Sequence, residues 1–198
     1  MRRAAAALAA AALPLAALAL TGCSDDDAAK ARAVYRDYQA AHDERIDAEL
    51  RLRKAIFDLS AAAGRHDRAS ALAAVGRGKH AAAEIERIFA AEIDAAARLA
   101  AFADYRAVAR RLEHGLRTSR EGLLLVVREL TIGGRDPFLD RREDRAEVDR
   151  LARRSRRLAV EGARERRRAD RALALALDVE PAFDPLFDAT TETTATAP

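Results

Sequence analysis

Apolar positions recur every three or four residues along most of the chain, the spacing that places side chains on one face of an α-helix. Between Ala28 and Ala63 there is neither Gly nor Pro, and the apolar stripe there comprises Tyr35, Tyr38, His42, Ile46, Leu52, Ile56 and Leu59. Gly64 follows at a typical C-terminal position, and Asp67 is suited to cap the next helix. The pattern predicts a first long helix followed by a turn.

The second helical stretch extends from Asp67 to Leu130. Gly76-Arg77-Gly78 predicts a kink or short break in it, because each Gly costs a helix about 1 kcal/mol relative to Ala. We predict a turn at residues 101–104, with Asp104 as N-cap, that divides the stretch into two helices. The alternative is one helix of about 60 residues, which would overhang its neighbours. Steps of four and three, as in a coiled coil, connect Tyr105, Ala109, Leu112, Leu116, Ser119, Leu123, Val126 and Leu130.

The last helix is the most charged. Gly133-Gly134 predicts the end of the preceding helix, and Asp136-Pro137 predicts the start of this one, which continues to about Leu177. The residues predicted to face inward are Val148, Leu151, Ser155, Leu158, Gly162, Ala169 and Leu173. Three of these, at 155, 162 and 169, are small and one heptad apart. A neighbouring backbone, or a large side chain such as Tyr105, can approach there; the alternative is simply a thin, Ala-rich seam.

These stretches predict an all-α protein, an elongated antiparallel helical bundle with coiled-coil-like seams and four helices, or three with one very long. The bundle domain is predicted to cover residues 30–177. Residues 178–198 contain five acids, no base and three prolines, a composition typical of a flexible tail. Within this tail, Phe183, Leu186 and Phe187 either pack back on the bundle end or serve a partner.

The N-terminus has a different pattern. Two Arg follow Met1, and an apolar run extends from Ala4 to Leu20, as in an export signal peptide. Leu20-Thr21-Gly22-Cys23 resembles the lipobox of bacterial lipoprotein precursors. The resemblance implies removal of residues 1–22, a diacylglyceryl and acyl lipid such as palmitate on Cys23, and anchoring to the cell membrane, or the outer membrane where the source has one. An uncleaved anchor is the alternative, although the run is short for one.

The net charge of the chain says little about function once the signal peptide is set aside. The chain has 35 basic and 32 acidic residues, and removal of residues 1–22 takes two Arg with it. Residues 23–29 are predicted to form an acidic tether. The last helix is basic, which favours an anionic envelope polymer or an envelope protein as partner. Nucleic acid is not expected, because the segment lacks interleaved aromatic residues. The predicted surface comprises Arg153, Arg154, Arg156, Arg157, Arg164, Arg166, Arg167 and Arg168; the alternative is a solvated helix with paired charges.

No catalytic or metal-binding motif is present. No His is preceded by Glu at the di-iron spacing, and the sequence lacks a phosphate loop, a dinucleotide fingerprint and a nucleophile elbow. We therefore expect no catalytic residue, no metal and no cofactor other than the lipid. The leading hypothesis is a lipid-anchored, non-enzymatic interaction or structural module. The alternative is a small-ligand- or metal-binding bundle with its site near Tyr35, Tyr38, His42 and the small positions of the last helix.

Overall fold

The computed structural model describes residues 25–182, which form four α-helices and no strand. The helices are α1 (Asp25–Gly64), α2 (Arg68–Leu99), α3 (Arg106–Arg135) and α4 (Arg142–Leu177). Successive helices are joined by short turns and are antiparallel. The prediction of an all-α, four-helix bundle is confirmed, and the turn between α2 and α3 excludes the version with one very long helix.

The bundle consists of two hairpins that share one long interface. α1 packs along α2, α3 packs along α4, and α2 packs against α3, whereas α1 and α4 approach each other over a short length only. The heptad seam predicted for α3 lies in this core: seven of its eight residues are buried, and Val126 is partly buried against them. The α1–α4 side is therefore the incompletely closed side of the bundle.

Two predictions about α2 have different outcomes. Asp67 caps the helix as predicted, because its Oδ1 accepts a hydrogen bond from the backbone N–H of Ser70 at 3.0 Å. Of the predicted kink or short break at Gly76-Arg77-Gly78, the break is wrong, since α2 continues through these residues. A Cβ at Gly78 would lie 3.2 Å from the Leu130 side chain. Packing of this face against α3 therefore outweighs the poor helix propensity of two glycines.

The predicted start of α4 at Asp136-Pro137 is also wrong. α3 continues through the two glycines to Arg135, and α4 starts at Arg142. The intervening loop has structure of its own: Asp136 Oδ2 accepts from the Arg141 N–H at 3.1 Å, and the Phe138 ring lies 5.4 Å from that of His66. This ring contact joins the two hairpin turns, and it competes with a helix start at Pro137.

Two other boundaries differ from prediction by a few residues. The N-cap of α3 is Tyr105 and not Asp104. α1 begins at Asp25, so most of the predicted tether at residues 23–29 is helical. Lys30 pairs with Asp26 at 2.5 Å, and acidic residues in a first turn interact favourably with the helix dipole.

No helix within residues 25–182 combines the length and the hydropathy that crossing a bilayer requires. The predictions for residues 1–22, for Cys23 and for the tail beyond Ala182 fall outside the described residues.

Candidate functional site

α4 packs closely on α3 through glycines. A Cβ at Gly162 would lie 2.7 Å from the carbonyl oxygen of Gly115, and a Cβ at Gly115 would lie 2.8 Å from the backbone nitrogen of Arg166. At Gly122 the nearest atom would be the carbonyl oxygen of Ser155, at 3.2 Å. The close approach of a neighbouring backbone to the small positions of α4 is therefore present, and α3 supplies that backbone.

On its other side, α4 reaches α1 through polar contacts near the C-terminal end of α4. Tyr35 Oη donates to Asp170 Oδ1 at 2.6 Å, and Arg32 Nε donates to the carbonyl oxygen of Leu177 at 2.8 Å. Burial raises the pKa of Asp170, and it also raises the pKa of Tyr35 above its usual range. These contacts close one half of the α1–α4 seam.

A cluster of buried ionic side chains lies at the end of the closed half. Arg45 and Glu92 are fully buried, and Arg45 Nε donates to both Glu92 oxygens at 3.1 Å. Arg45 also donates to Glu49, and its Nη2 lies 2.8 Å from His42 Nδ1. The same ring nitrogen of His42 lies 3.5 Å from Glu92 Oε1, so it faces both members of the buried pair. Arg166 is the fifth member of this group, which we call the ion cluster.

The electrostatics of the ion cluster favour a charged Glu92. Burial raises the pKa of its carboxyl, but the charge of Arg45, the contact with His42 and the charge of Arg166 together outweigh burial and lower the pKa below the usual range. Burial and the nearby charge of Arg45 lower the pKa of Arg166. Both guanidinium groups lie near the Phe89 ring, at 5.3 and 6.0 Å from its centroid, within the range of cation–π interaction. One fully buried carboxylate thus bonds to Arg45 and also feels the charge of Arg166.

Beyond the ion cluster, α1 and α4 separate and leave a groove of about 500 Å³, which we call the α1–α4 groove. Its floor is formed by α2 and α3, and its apolar side chains include Ile56 and Val160, which are 39% and 43% exposed. The remaining apolar lining comprises Leu52, Ile85, Phe89, Leu123, Val126, Ala159 and Ala163. Its charged lining consists of three arginines and one acid: Arg53, Arg156, Arg166 and Glu49.

A second, smaller cavity of about 260 Å³ adjoins the groove. Ala163 and Arg166 line both spaces, so the ion cluster lies between them. The second cavity has a polar wall formed by Tyr38, His42 and Asp170. Burial raises the pKa of Tyr38 well above its usual value. Of the three α1 residues predicted near a site, Tyr38 and His42 therefore border a cavity next to α4, whereas Tyr35 does not line it.

The predicted arginine surface of α4 is mostly exposed, with one exception. Arg166 is only 6% exposed, so its assignment to the surface is wrong. It follows Gly162 by four residues and precedes Ala169 by three, which places it on the inward stripe. Arg167 is half-buried, and the exposed members are Arg153, Arg154, Arg156, Arg157, Arg164 and Arg168. Arg154 donates to Glu121 of α3 at 2.7 Å, and Arg156 lies at the groove.

The sequence pattern did not identify Arg45, Glu92 or Asp170 as site residues. Their spacing carried a signal all the same: Arg45 follows His42 by three residues, and Glu92 follows Phe89 by three. A charged residue in register with an apolar stripe is a candidate for a buried pair. Asp170 follows Arg166 by four residues and is identified only once Arg166 is placed inside.

Within residues 25–182, no three His, Cys, Asp or Glu side chains are grouped so that they could hold a metal ion. Comparison of the chain with protein-family models, with curated proteins and with solved structures found no match.

Proposed function

We propose that the protein is a lipid-anchored envelope protein that acts as a non-enzymatic binding module, and that the α1–α4 groove receives a segment of a partner protein. The observation that carries this proposal is the groove itself. Apolar side chains that remain exposed in a concave, rimmed site are typical of interaction surfaces rather than of ordinary protein surface.

The groove lining defines the chemistry of that segment. Burial of apolar side chains contributes about 25 cal/mol per Å², so the floor favours Leu, Phe or similar anchors. Three arginines against one acid favour carboxylates beside those anchors. The partner segment is therefore apolar and acidic.

Cross-linking from within the groove tests this proposal. A photoreactive residue at Val160 should capture a partner in intact cells. The matched control is the same residue at Leu175, which is 84% exposed on the same helix but does not line the groove. Equal capture from both positions, or none from Val160, would contradict a binding groove.

Support for the lipid anchor comes from the lipobox-like Leu20-Thr21-Gly22-Cys23. Two or three acyl chains hold a protein on a membrane where one chain gives only weak binding. Replacement of Cys23→Ser should abolish labelling by a fatty-acid probe. Labelling that persists in this variant would overturn the lipidation proposal.

A second candidate function is small-ligand binding, which the polar-walled second cavity favours. Ser119 adds a further observation, because its buried Oγ at the groove floor has no hydrogen-bond partner among the described residues. Native mass spectrometry of the purified mature protein tests this candidate. A retained small molecule would place it above partner binding, whereas the mass of the bare chain would count against it.

A further inference from the structure

We propose that the chain's own segment 183–188, Phe-Asp-Pro-Leu-Phe-Asp, occupies the α1–α4 groove and covers it. Occupancy of the groove by this segment stands without the proposed function. Only its consequence, competition with a partner for the same site, rests on that function.

The direction of the chain after α4 is the first observation. Asp178 has a left-handed backbone (φ 54°), and the N–H of Val179 donates to the carbonyl oxygen of Ala174 at 3.0 Å. The chain therefore reverses and returns along the bundle. Gln39 of α1 donates to the carbonyl oxygen of Glu180 at 2.8 Å, which holds the returning chain beside the α1–α4 seam.

The place where the described chain ends is the second observation. Pro181 and Ala182 line the second cavity, which shares Ala163 and Arg166 with the groove. The described chain therefore ends at the cavity that adjoins the inner end of the groove. An extended chain advances about 3.3 Å per residue, so six residues cover about 20 Å. The groove follows α4 from Ser155 to Arg166, a helical length of about 16 Å.

The chemistry of the segment is the third observation. It contains three large apolar residues, Phe183, Leu186 and Phe187, and two acids, Asp184 and Asp188, and no base. These match an apolar floor with an excess of arginine at its edges. Val179 and Ala182, which lie within four residues of its start, already pack against the hydrophobic core. The segment thus follows a stretch of chain that has begun to cover the seam.

Disulfide formation in the full mature chain tests this placement, with Cys23→Ser removing the native thiol. In this background, Val160→Cys is paired with Phe187→Cys, and the control pairs Leu175→Cys with Phe187→Cys. A segment without a preferred site would meet position 175 more often, because it is 12 residues away in sequence and position 160 is 27 residues away. We expect the groove pair to cross-link within one chain at least tenfold faster than the control. Equal or slower cross-linking would overturn the proposal, and a disulfide between two chains would assign the groove to a second copy.

A second experiment tests whether the two acids of the segment, and not only its apolar residues, direct it to the groove. Asp184→Asn combined with Asp188→Asn should slow formation of the 160–187 disulfide severalfold and weaken its dependence on salt. The matched control, Glu192→Gln, removes an acid outside the segment and should leave the rate unchanged. Loss of the rate in both variants, or in neither, would contradict pairing between these two carboxylates and the groove arginines.

Ending the chain after Ala182 distinguishes this proposal from the proposed function. Purified protein of this length should bind an apolar fluorescent probe severalfold more than the full mature chain, at unchanged helix content. No change would overturn coverage of the groove by the segment, whatever the outcome of cross-linking in cells. A covered groove that captures no partner in cells would instead overturn the proposed function alone.

Discussion

α4 has two neighbours, and its two contacts differ in kind. Towards α3 it presents Gly162 and Ser155 opposite further glycines, so that the two backbones almost touch. Towards α1 it presents Arg156, Val160 and Arg166, and the two helices meet only near one end. The difference shows that side-chain volume at the contact positions sets the distance between helices, and that one helix can build both a tight seam and a groove.

The two contacts also differ in what holds them. The α3–α4 seam depends on shape, since no side chain larger than glycine fits at its closest points. The α1–α4 seam depends on hydrogen bonds and buried charge, and the groove begins where that polar network ends. The two seams should therefore respond to different substitutions.

The largest effect is expected at the ion cluster. Glu92→Gln leaves Arg45 and Arg166 buried beside a neutral amide, which should lower the free energy of unfolding by about 3–5 kcal/mol. Urea unfolding followed by circular dichroism measures the change. Glu86→Gln is the control, because it breaks the partly exposed pair with Arg120, where about 1 kcal/mol or less is expected. A similar small loss for both variants would mean that polar contacts do not hold the α1 side.

The stability of the α3–α4 seam should be sensitive to a single added methyl group. Gly162→Ala places a Cβ against the backbone of α3 and should lower the free energy of unfolding by about 1–3 kcal/mol. Gly76→Ala provides the contrast, because nothing lies within 4 Å of that position, and it should stabilise α2 by up to about 1 kcal/mol. If Gly76→Ala destabilises the protein, or if Gly162→Ala does not, close backbone packing is not what holds the α3–α4 seam.

The closed half of the α1–α4 seam should weaken in alkali. Burial raises the pKa of Tyr38 above its ordinary value of 10.0. The contribution of this group is therefore present below pH 10 and is lost as the pH rises, because only the unfolded chain releases the proton. One such group changes the free energy of unfolding by about 1.4 kcal/mol per pH unit.

The free energy of unfolding should therefore fall with rising pH, with a slope that reports the protons released on unfolding. Tyr38→Phe should reduce this slope by about one proton. Unfolding in urea at pH 9 and pH 11 measures it, and each slope is compared with that of the unchanged protein. A slope that does not differ between the two proteins would show that the seam next to Tyr38 is open to water.

The smallest effect is expected in the groove. Ile56→Ala removes a side chain that is already 39% exposed, so the loss should stay below about 1.5 kcal/mol. Leu52→Ala, one turn earlier and buried, should cost about 2–5 kcal/mol. Both substitutions are made in the chain that ends after Ala182, in which no C-terminal segment can cover the groove. Equal losses in that chain would mean that α1 and α4 close the groove between them.

Prediction from the sequence succeeded where each helix carries its own signal. The strict seam of α3 and the cap at Asp67 depend on local spacing and local hydrogen bonds, and both are present in the structure. The predictions of a break at Gly76 and of a helix start at Asp136 were wrong because tertiary contacts decide both places. These contacts are the packing of α2 on α3 in the first case and the Phe138–His66 contact in the second.

The ion cluster and the groove were out of reach for a related reason. A hydrophobic pattern assigns a charged residue to the surface, and Arg166 was assigned there although its spacing places it inward. Burial of such a residue is acceptable only if a carboxylate from another helix lies opposite it, and no single helix encodes that pairing. The groove depends on the distance between α1 and α4, which their separate patterns do not specify.

The unbroken length of α1 limits how far the groove can lie from the N-terminal anchor. The helix rises about 1.5 Å per residue, so Leu52 at the groove lies about 40 Å along the axis from Asp25. Cys23 stands two positions before that first residue. With Cys23 lipidated as proposed, only Ser24 separates the anchor from a stiff rod. The groove then lies no farther than the length of α1 from the anchor, and a partner must present its segment within that distance of the bilayer.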